Sequence, residues 1–389
     1  MRVLKVHNHY QQPGGEDISF RGETALLRRF GVDVTEYVDT NSRIRNGLGS
    51  GLTATWNHRS YRTLRRLVST QKQYQVAHFH NTFPLISPAA YYAVSAGETA
   101  VIQTLHNYRL ICPGGLLLRD GVPCTDCVDQ NTFLPALRHR CYRGSLLGTA
   151  AASFMLTAHE FLGTWSNRVD LFIAPTEFSK RTFVQAGLPA DKIVVKPHLL
   201  DREPEPGQGG GTYAAYVGRL SAEKGIQTLR EAWRTLGDIP LRIAGSGPLA
   251  GSQWPPGVID RGYLNTAGVD ALLRDATTLV VPSLWYEIGP LTVLEAFACG
   301  TPVIASNLGS MAERVRDGHN GLLFRPGDAQ DLAAKVRYAF THPEHMAQMR
   351  VNARREYEEK YTPERNYRLL MAIYEQAMEN AKRRKRKAS

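Results

Sequence analysis

One rhythm constrains this chain more than any other feature. Short, apolar, β-branched runs alternate with stretches of helical periodicity, and the alternation runs through the chain twice. Val3–Val6, Val76–Phe79, Val101–Leu105, Leu171–Ala174 and Ile193–Val195 read as buried strands. Helical stretches such as Trp56–Gln73 and Leu146–Trp165 lie between them. This is the βαβ pattern of a parallel sheet with helices on both faces. The segment Asp201–Gly211, rich in proline, glycine and charge, then breaks the pattern and reads as a linker. The rhythm restarts with Tyr213–Val217, Leu241–Ala244, Val258–Ile259, Thr278–Val281, Pro302–Ala305 and Leu322–Phe324, and three helical stretches follow Asp328. The expectation is two doubly wound α/β domains. The first covers 1–198 and is rejoined by a last helix at about 364–389; the second covers 199–363. Ligands of such sheets bind beyond the carboxyl ends of the strands, so a cleft faced by both sheets is the expected site.

Composition narrows the function classes. The 389 residues are 43% hydrophobic and 21% charged, an ordinary globular mixture. Six of the charges behind the net +11 lie in one run, Lys382–Lys387, which leaves a mildly basic body and argues against nucleic acid as partner. The opening MRVLKVHNHY reads as a strand rather than a signal peptide. The longest charge-free apolar run, Gly144–Ala158, falls short of a membrane span. The expected location is cytoplasmic, with contact to the inner face of a membrane. Arg59, Arg62, Arg65, Arg66 and Lys72, interleaved with Tyr61, Leu64, Leu67 and Val68, together with the basic tail, suggest an anionic membrane surface as a partner. A solvated helix face is the plainer reading of the same residues.

The richest chemistry lies in Ser283–Ser306. Glu287 sits in a loop after a strand, Gly289 and Pro290 start a helix, and Glu295 lies eight residues beyond Glu287. Two helical turns hold about 7.2 residues, so both carboxylates are expected to face the amino end of the helix. The amides free at that end attract an anion, and carboxylates accept bonds from hydroxyls. A ligand with phosphates and many hydroxyls suits the set. Arg219 and Lys224 follow a strand in a glycine-flanked loop beginning at Gly218, a planar fork and a point charge suited to a diphosphate. Gly14 and Gly15 follow the first strand and let backbone amides approach a ligand closely.

The Glu-(seven residues)-Glu stretch resembles the signature of family-four, group 1 retaining glycosyltransferases, which have the GT-B fold. Tyr216–Gly225 is similar to that family's Gly-Arg-Leu…Lys-Gly loop, Ile243–Pro248 to its Gly-x-Gly-Pro loop, and Gln12–Glu16 to its first glycine-rich loop. Asn307–Glu313 and Asp317–Phe324 also fit, and six matches in order cover nearly the whole chain. The resemblance implies transfer of a hexosyl unit from a UDP- or GDP-linked sugar to a saccharide or lipid-linked acceptor, in polysaccharide or glycolipid synthesis and without a catalytic metal. It implies that Arg219 and Lys224 take the leaving diphosphate. Glu287 holds sugar hydroxyls with amides near Gly289, Pro290 and Leu291, and Glu295 holds the ribose. Gly262, Tyr263 and Leu264 flank the base. The leaving phosphate helps deprotonate the acceptor, and closure of the cleft completes the site. His106 resembles the histidine that faces the sugar from the first domain, where the acceptor binds. A departure follows Pro197, where the family usually has Asn and this chain has His198. A GT-B nucleotide-sugar epimerase and a non-enzymatic sugar-nucleotide binder are the alternatives.

Two further clusters stand out. His7, His9, His78 and His80 occupy alternate strand positions and share a face, which suggests a lining for the acceptor cleft. Cys124 and Cys127 have metal-knuckle spacing and are flanked by Cys112 and Cys141, so a structural zinc is an expected cofactor; four reduced thiols are the alternative. Cys299 reads as core.

Overall fold

The computed structural model describes residues 1–11, 14–43, 53–69, 74–251 and 253–388. Its strands are β1 (Arg2–His9), β2 (Asp33–Thr40), β3 (Val76–Asn81), β4 (Ala100–Thr104), β5 (Leu118–Arg119), β6 (Val122–Pro123), β7 (Leu171–Ala174), β8 (Ile193–Val195), β9 (Ala214–Val217), β10 (Leu241–Ala244), β11 (Val258–Asp260), β12 (Thr278–Val281), β13 (Val303–Ser306) and β14 (Gly321–Phe324). The chain divides into two compact units. Unit 1 holds Met1–Leu117, Thr125–Asp201 and Glu364–Ser389; unit 2 holds Leu118–Cys124 and Arg202–Pro363.

Unit 1 is a six-stranded sheet in the order β2-β1-β3-β4-β7-β8, parallel throughout. Its order reverses between β1 and β3, so the carboxyl ends of those strands form its topological switch point. Val3, Val76, Ile102, Leu171 and Ile173 build one face of the core. The helix Pro363–Ala388 packs Leu370, Ile373, Tyr374, Ala377 and Ala381 onto it. The apolar runs of the sequence do not include β2, because its Asp-Val-Thr-Glu-Tyr-Val-Asp-Thr alternates charge with apolar residues, as suits a half-exposed edge strand.

Unit 2 has a second parallel sheet of order β11-β10-β9-β12-β13-β14. Its switch point lies between β9 and β12. The helix Ile226–Thr235 turns Ile226, Leu229, Ala232 and Trp233 to the sheet at helical spacing. Burial of side chains as large as these contributes about 1.5–3 kcal/mol each. Three helices, Ala329–Thr341, Pro343–Lys360 and Pro363–Ala388, follow β14. Asp328 starts the first of them by accepting bonds from the backbone amides of Gln330 and Asp331.

Two sequence expectations change here. The Asp201–Gly211 segment is strapped to unit 2 rather than loose: Gly207 N donates to Cys299 O at 2.9 Å and Gly211 N to Asp275 O at 2.9 Å. The helix expected over Leu146–Trp165 ends at Phe161, and Gly163 in the left-handed region starts a separate helix, Thr164–Arg168. The helix expected over Trp56–Gln73 is described over His58–Ser69, and residues 70–73, Lys72 among them, lie outside the described residues. No described helix is long and apolar enough to cross a membrane.

Candidate active site

In unit 2 the loops after β9, β10, β11 and β12 converge. Gly218 N donates to Ala244 O at 3.0 Å, Leu220 N to Ser246 O at 2.9 Å, and Gly245 N to Gly262 O at 2.8 Å. The glycine motifs that are far apart in sequence are therefore adjacent strand ends stitched by backbone bonds. Gly225, at φ +71°, meets the loop after β12 so closely that a Cβ there would lie 1.8 Å from Pro282 O. Only glycine allows that approach.

Across this seam Lys224 Nζ donates to Glu287 Oε1 at 2.6 Å. Ser283 Oγ donates to the same oxygen at 2.7 Å, and Ser310 Oγ donates to the Glu287 backbone carbonyl. Trp285 lies under the ammonium, 5.4 Å from Nζ to ring centroid. Glu287 is buried and Lys224 partly exposed. Arg219 is exposed, with its carbonyl fixed by the Tyr216 hydroxyl at 2.8 Å. Gly289 and Pro290 lead into the helix Leu291–Ala298, and Pro290 is its N-cap. Gly262 and Tyr263 are exposed and Leu264 half-buried.

The two signature carboxylates have different partners. Glu287 turns to Lys224, while Glu295 accepts from Arg202 Nη2 at 3.0 Å. Arg202 also grips Asp270 bidentately, at 2.8 and 2.7 Å. Burial works against the Arg202 charge, but the bonds to Asp270 and Glu295 outweigh it and raise its pKa. Sequence reading missed Arg202 and Asp270, one a single cation in a proline-rich strap and the other a mid-helix acid.

In unit 1 the ionisable groups near the switch point are buried. Lys5 bonds to Glu23 and lies against His80. Lys196 reaches Glu23 Oε2 at 3.2 Å, and His78 Nδ1 reaches Oε1 at 3.1 Å. His80 Nδ1 meets His106 Nε2 at 2.7 Å, and His106 stacks on His198 at 5.1 Å between centroids. A small cavity beside His106 is lined by Asn107, Arg109, Tyr91 and Trp165. Burial pushes His78 down to about 4, and pushes His80 and His106 well below the ordinary histidine value, reinforced by Lys5 at His80 and by His198 at His106.

His78 and His80 are thus buried side chains: His78 pairs with Lys5 across β1 and β3, both rings reach Glu23, and His80 also lies on the wall of the cavity beside His106. His7 is buried as well, and His9 is half-exposed. Both bond to Asp17 Oδ1, at 2.9 and 2.7 Å, while Gly14 N donates to Asp17 Oδ2 at 2.8 Å. Burial raises the Asp17 pKa, but these bonds overcome it and hold the carboxyl at about 2. Its neighbour Glu16 is pushed up to about 7 by burial, although Asn107 bonds it at 2.6 Å. Gly15 begins the helix Gly15–Arg29. Of the first glycine-rich motif, Gln12 and Pro13 lie outside the described residues.

Among the described residues, two groups bring candidate metal-ligand atoms within 4.8 Å of one another, His7–His9–Asp17 and Glu23–His78–His80. Lys5 and Lys196 already answer the Glu23 charge, which disfavours a cation in the second group. The cysteine quartet is half-buried, and Cys112 Sγ and Cys141 Cβ both lie close to Gly114. Cys299 is core.

Comparison with known proteins decides the family. The model described as "Glycosyl transferases group 1" matches residues 200–356, and "Glycosyltransferase Family 4" matches 27–203. The chain belongs to the group 1, family-four glycosyltransferases. Glycogen synthase of Mycobacterium tuberculosis is 36% identical over 158 residues, 36% of each chain. The D-inositol 3-phosphate glycosyltransferase of an Arthrobacter species is 30% identical over 195 residues, 45% of this chain and 41% of that one. The chain thus spans about two fifths or less of the length of these relatives. The Anabaena protein HepE, solved with UDP, superposes with a TM-score of 0.67 at 17% identity, over 96% of this chain and 99% of that one. HepE has also been solved with UDP-glucose. The likeness gives this glycosyltransferase the GT-B fold, two Rossmann-like parallel-sheet domains.

Proposed function

We propose that this glycosyltransferase moves a hexosyl unit from a nucleoside diphosphate sugar, UDP- or GDP-linked, to a hydroxyl of a saccharide or lipid-linked acceptor, with retention of configuration and without a catalytic metal. The observation that carries the reading is the Lys224–Glu287 contact. Residues 63 positions apart meet at 2.6 Å beyond the carboxyl ends of β9 and β12, at the switch point where such sheets bind nucleotides. HepE, with UDP and UDP-glucose, makes a uridine donor the first to try.

In this reading Arg219 and Lys224 take the diphosphate, and Lys224 trades Glu287 for phosphate oxygens. Glu287, released, accepts from sugar hydroxyls beside the Gly289–Leu291 amides. Glu295, oriented by Arg202, accepts from the ribose hydroxyls, and Gly262–Leu264 flank the base. His106 is the proposed sugar contact from unit 1, with Gly14 and Gly15 at the acceptor-binding end. The bond from the anomeric carbon to the diphosphate oxygen breaks as the acceptor oxygen bonds on the same face. The acceptor proton passes to the departing diphosphate, whose charge the two cations stabilise.

The test is turnover with UDP-glucose and GDP-mannose in chelator, with product configuration read by NMR. A β-linked product from an α-linked donor would overturn retention, and loss of turnover in chelator would overturn metal independence. An epimerised donor formed without acceptor would favour the epimerase reading. A separate proposal is structural zinc on Cys112, Cys124, Cys127 and Cys141. It is supported by the two-residue spacer and the meeting of Cys112 and Cys141 at Gly114. Elemental analysis of chelator-free protein should find one zinc per chain, and a metal-free, equally stable protein would remove it.

A further inference from the structure

The helix Leu146–Phe161 of unit 1 is apolar on both sides. Its inner side, Thr149, Ala152, Leu156 and His159, is buried. Its outer side carries Leu147, Ala150, Phe154, Ala158 and Phe161, spaced so that they form one stripe. Leu147 is 72% exposed, Phe154 59% and Phe161 90%. Leu146 and Leu162, at the two ends of the helix, are exposed too. Its one acid, Glu160, sits about 100° round from Phe161, outside the stripe. Contiguous exposed apolar surface of this kind marks an interaction site.

Cations flank the stripe at both ends. Arg138, Arg140 and Arg143, all exposed, lie just before its amino end. At the carboxyl end His159 Nε2 bonds to Thr55 O at 2.9 Å and stacks on Trp56. That packs the start of the helix His58–Ser69, whose Arg59, Arg62, Arg65 and Arg66 are exposed, against the inner side of Leu146–Phe161 at this end. The basic tail is a weaker candidate than its charge suggests: Arg384 bonds to Asp170 at 2.8 Å and Lys385 to Glu98 at 2.7 Å.

We infer that this face docks on an anionic lipid bilayer, with Phe154 and Phe161 entering the headgroup boundary and the flanking arginines meeting lipid phosphates. Charge selects the occupant: a second copy of the same face would bring arginine against arginine, whereas anionic headgroups complement it. The inference goes beyond the transfer chemistry and needs no donor or acceptor, so its test stands apart from the proposed activity.

The experiment is co-sedimentation of the full chain with phosphatidylcholine vesicles, with and without phosphatidylglycerol, at low and high salt. Binding is expected to the anionic vesicles and to fall at high salt. F154S/F161S should weaken binding about tenfold or more per phenylalanine. R62Q/R65Q/R66Q should remove the preference for anionic lipid. All five positions are partly or fully exposed, and unchanged thermal melts confirm the fold. Binding of F154S/F161S equal to the parent, or no binding of the parent to either vesicle, overturns the inference. So does a concentration-dependent dimer that F161S makes monomeric, because a second copy would then cover the face. Vesicle binding without transfer to any lipid-linked acceptor would leave this face standing and sink that part of the functional reading.

Discussion

The ion pairs of unit 2 and those of unit 1 use the same residue types in opposite settings. In unit 2, Lys224 keeps 24% of its side chain exposed beside Glu287, at the ends of strands and on loops. In unit 1, Lys5 is wholly covered and Glu23 nearly so, between a strand and a helix. A partly wet pair can exchange partners when an anion arrives, because water offsets the loss of either charge. A sealed pair cannot, since removing one member leaves the other buried without compensation. The difference assigns chemistry to the first set and architecture to the second.

Four experiments would break or sharpen that contrast. The largest effect is expected from Glu23→Ala, which strands Lys5 and Lys196 and should cost about 3–5 kcal/mol in denaturant titration. A change of less than 1 kcal/mol would show that the network is dispensable. Lys224→Ala should lower turnover about 10²–10³-fold while leaving the melting temperature in place. Intact turnover with a natural donor would end its leaving-group role. Glu295→Ala should weaken nucleotide binding by about 1.5–3 kcal/mol in calorimetry, and unchanged affinity would detach Glu295 from the ribose.

The last is a pH effect, small at any one pH step. His78 is held at about 4 in the folded chain against an ordinary 6.5, so below 6.5 the unfolded chain takes a proton that the folded one refuses. The associated stability is present above 6.5 and is lost as pH falls through 4, at about 1.4 kcal/mol per pH unit. His78→Gln should flatten that slope in acid melts; an unaltered slope would place the lability elsewhere.

The strands were legible wherever a sheet interior demands continuous apolar runs, as at Leu171–Ala174 and Thr278–Val281. They were illegible at β2, which alternates with charge, and at β5 and β6, with two residues each. The unit 2 motifs could be read because glycine and charge are contiguous there and backbone geometry forces the glycines. Arg202, Asp270, Glu23 and Lys196 could not, since each is a single charge whose partner comes from a distant element. One signal was present all the same. Lys5 interrupts an apolar strand, Val-Leu-Lys-Val, and a lysine sealed in a sheet requires a buried acid.

The return of the helix Pro363–Ala388 to unit 1 also sets an order of assembly. During synthesis every strand of unit 2 has been made before Pro363 is added, while the unit 1 core still lacks Leu370, Ile373, Tyr374 and Ala377. Ribosomal folding ordinarily proceeds from the amino-terminal domain onward. Here the first sheet to be translated is the last to be sealed, and until then it waits with an open apolar seam that only the final helix can close.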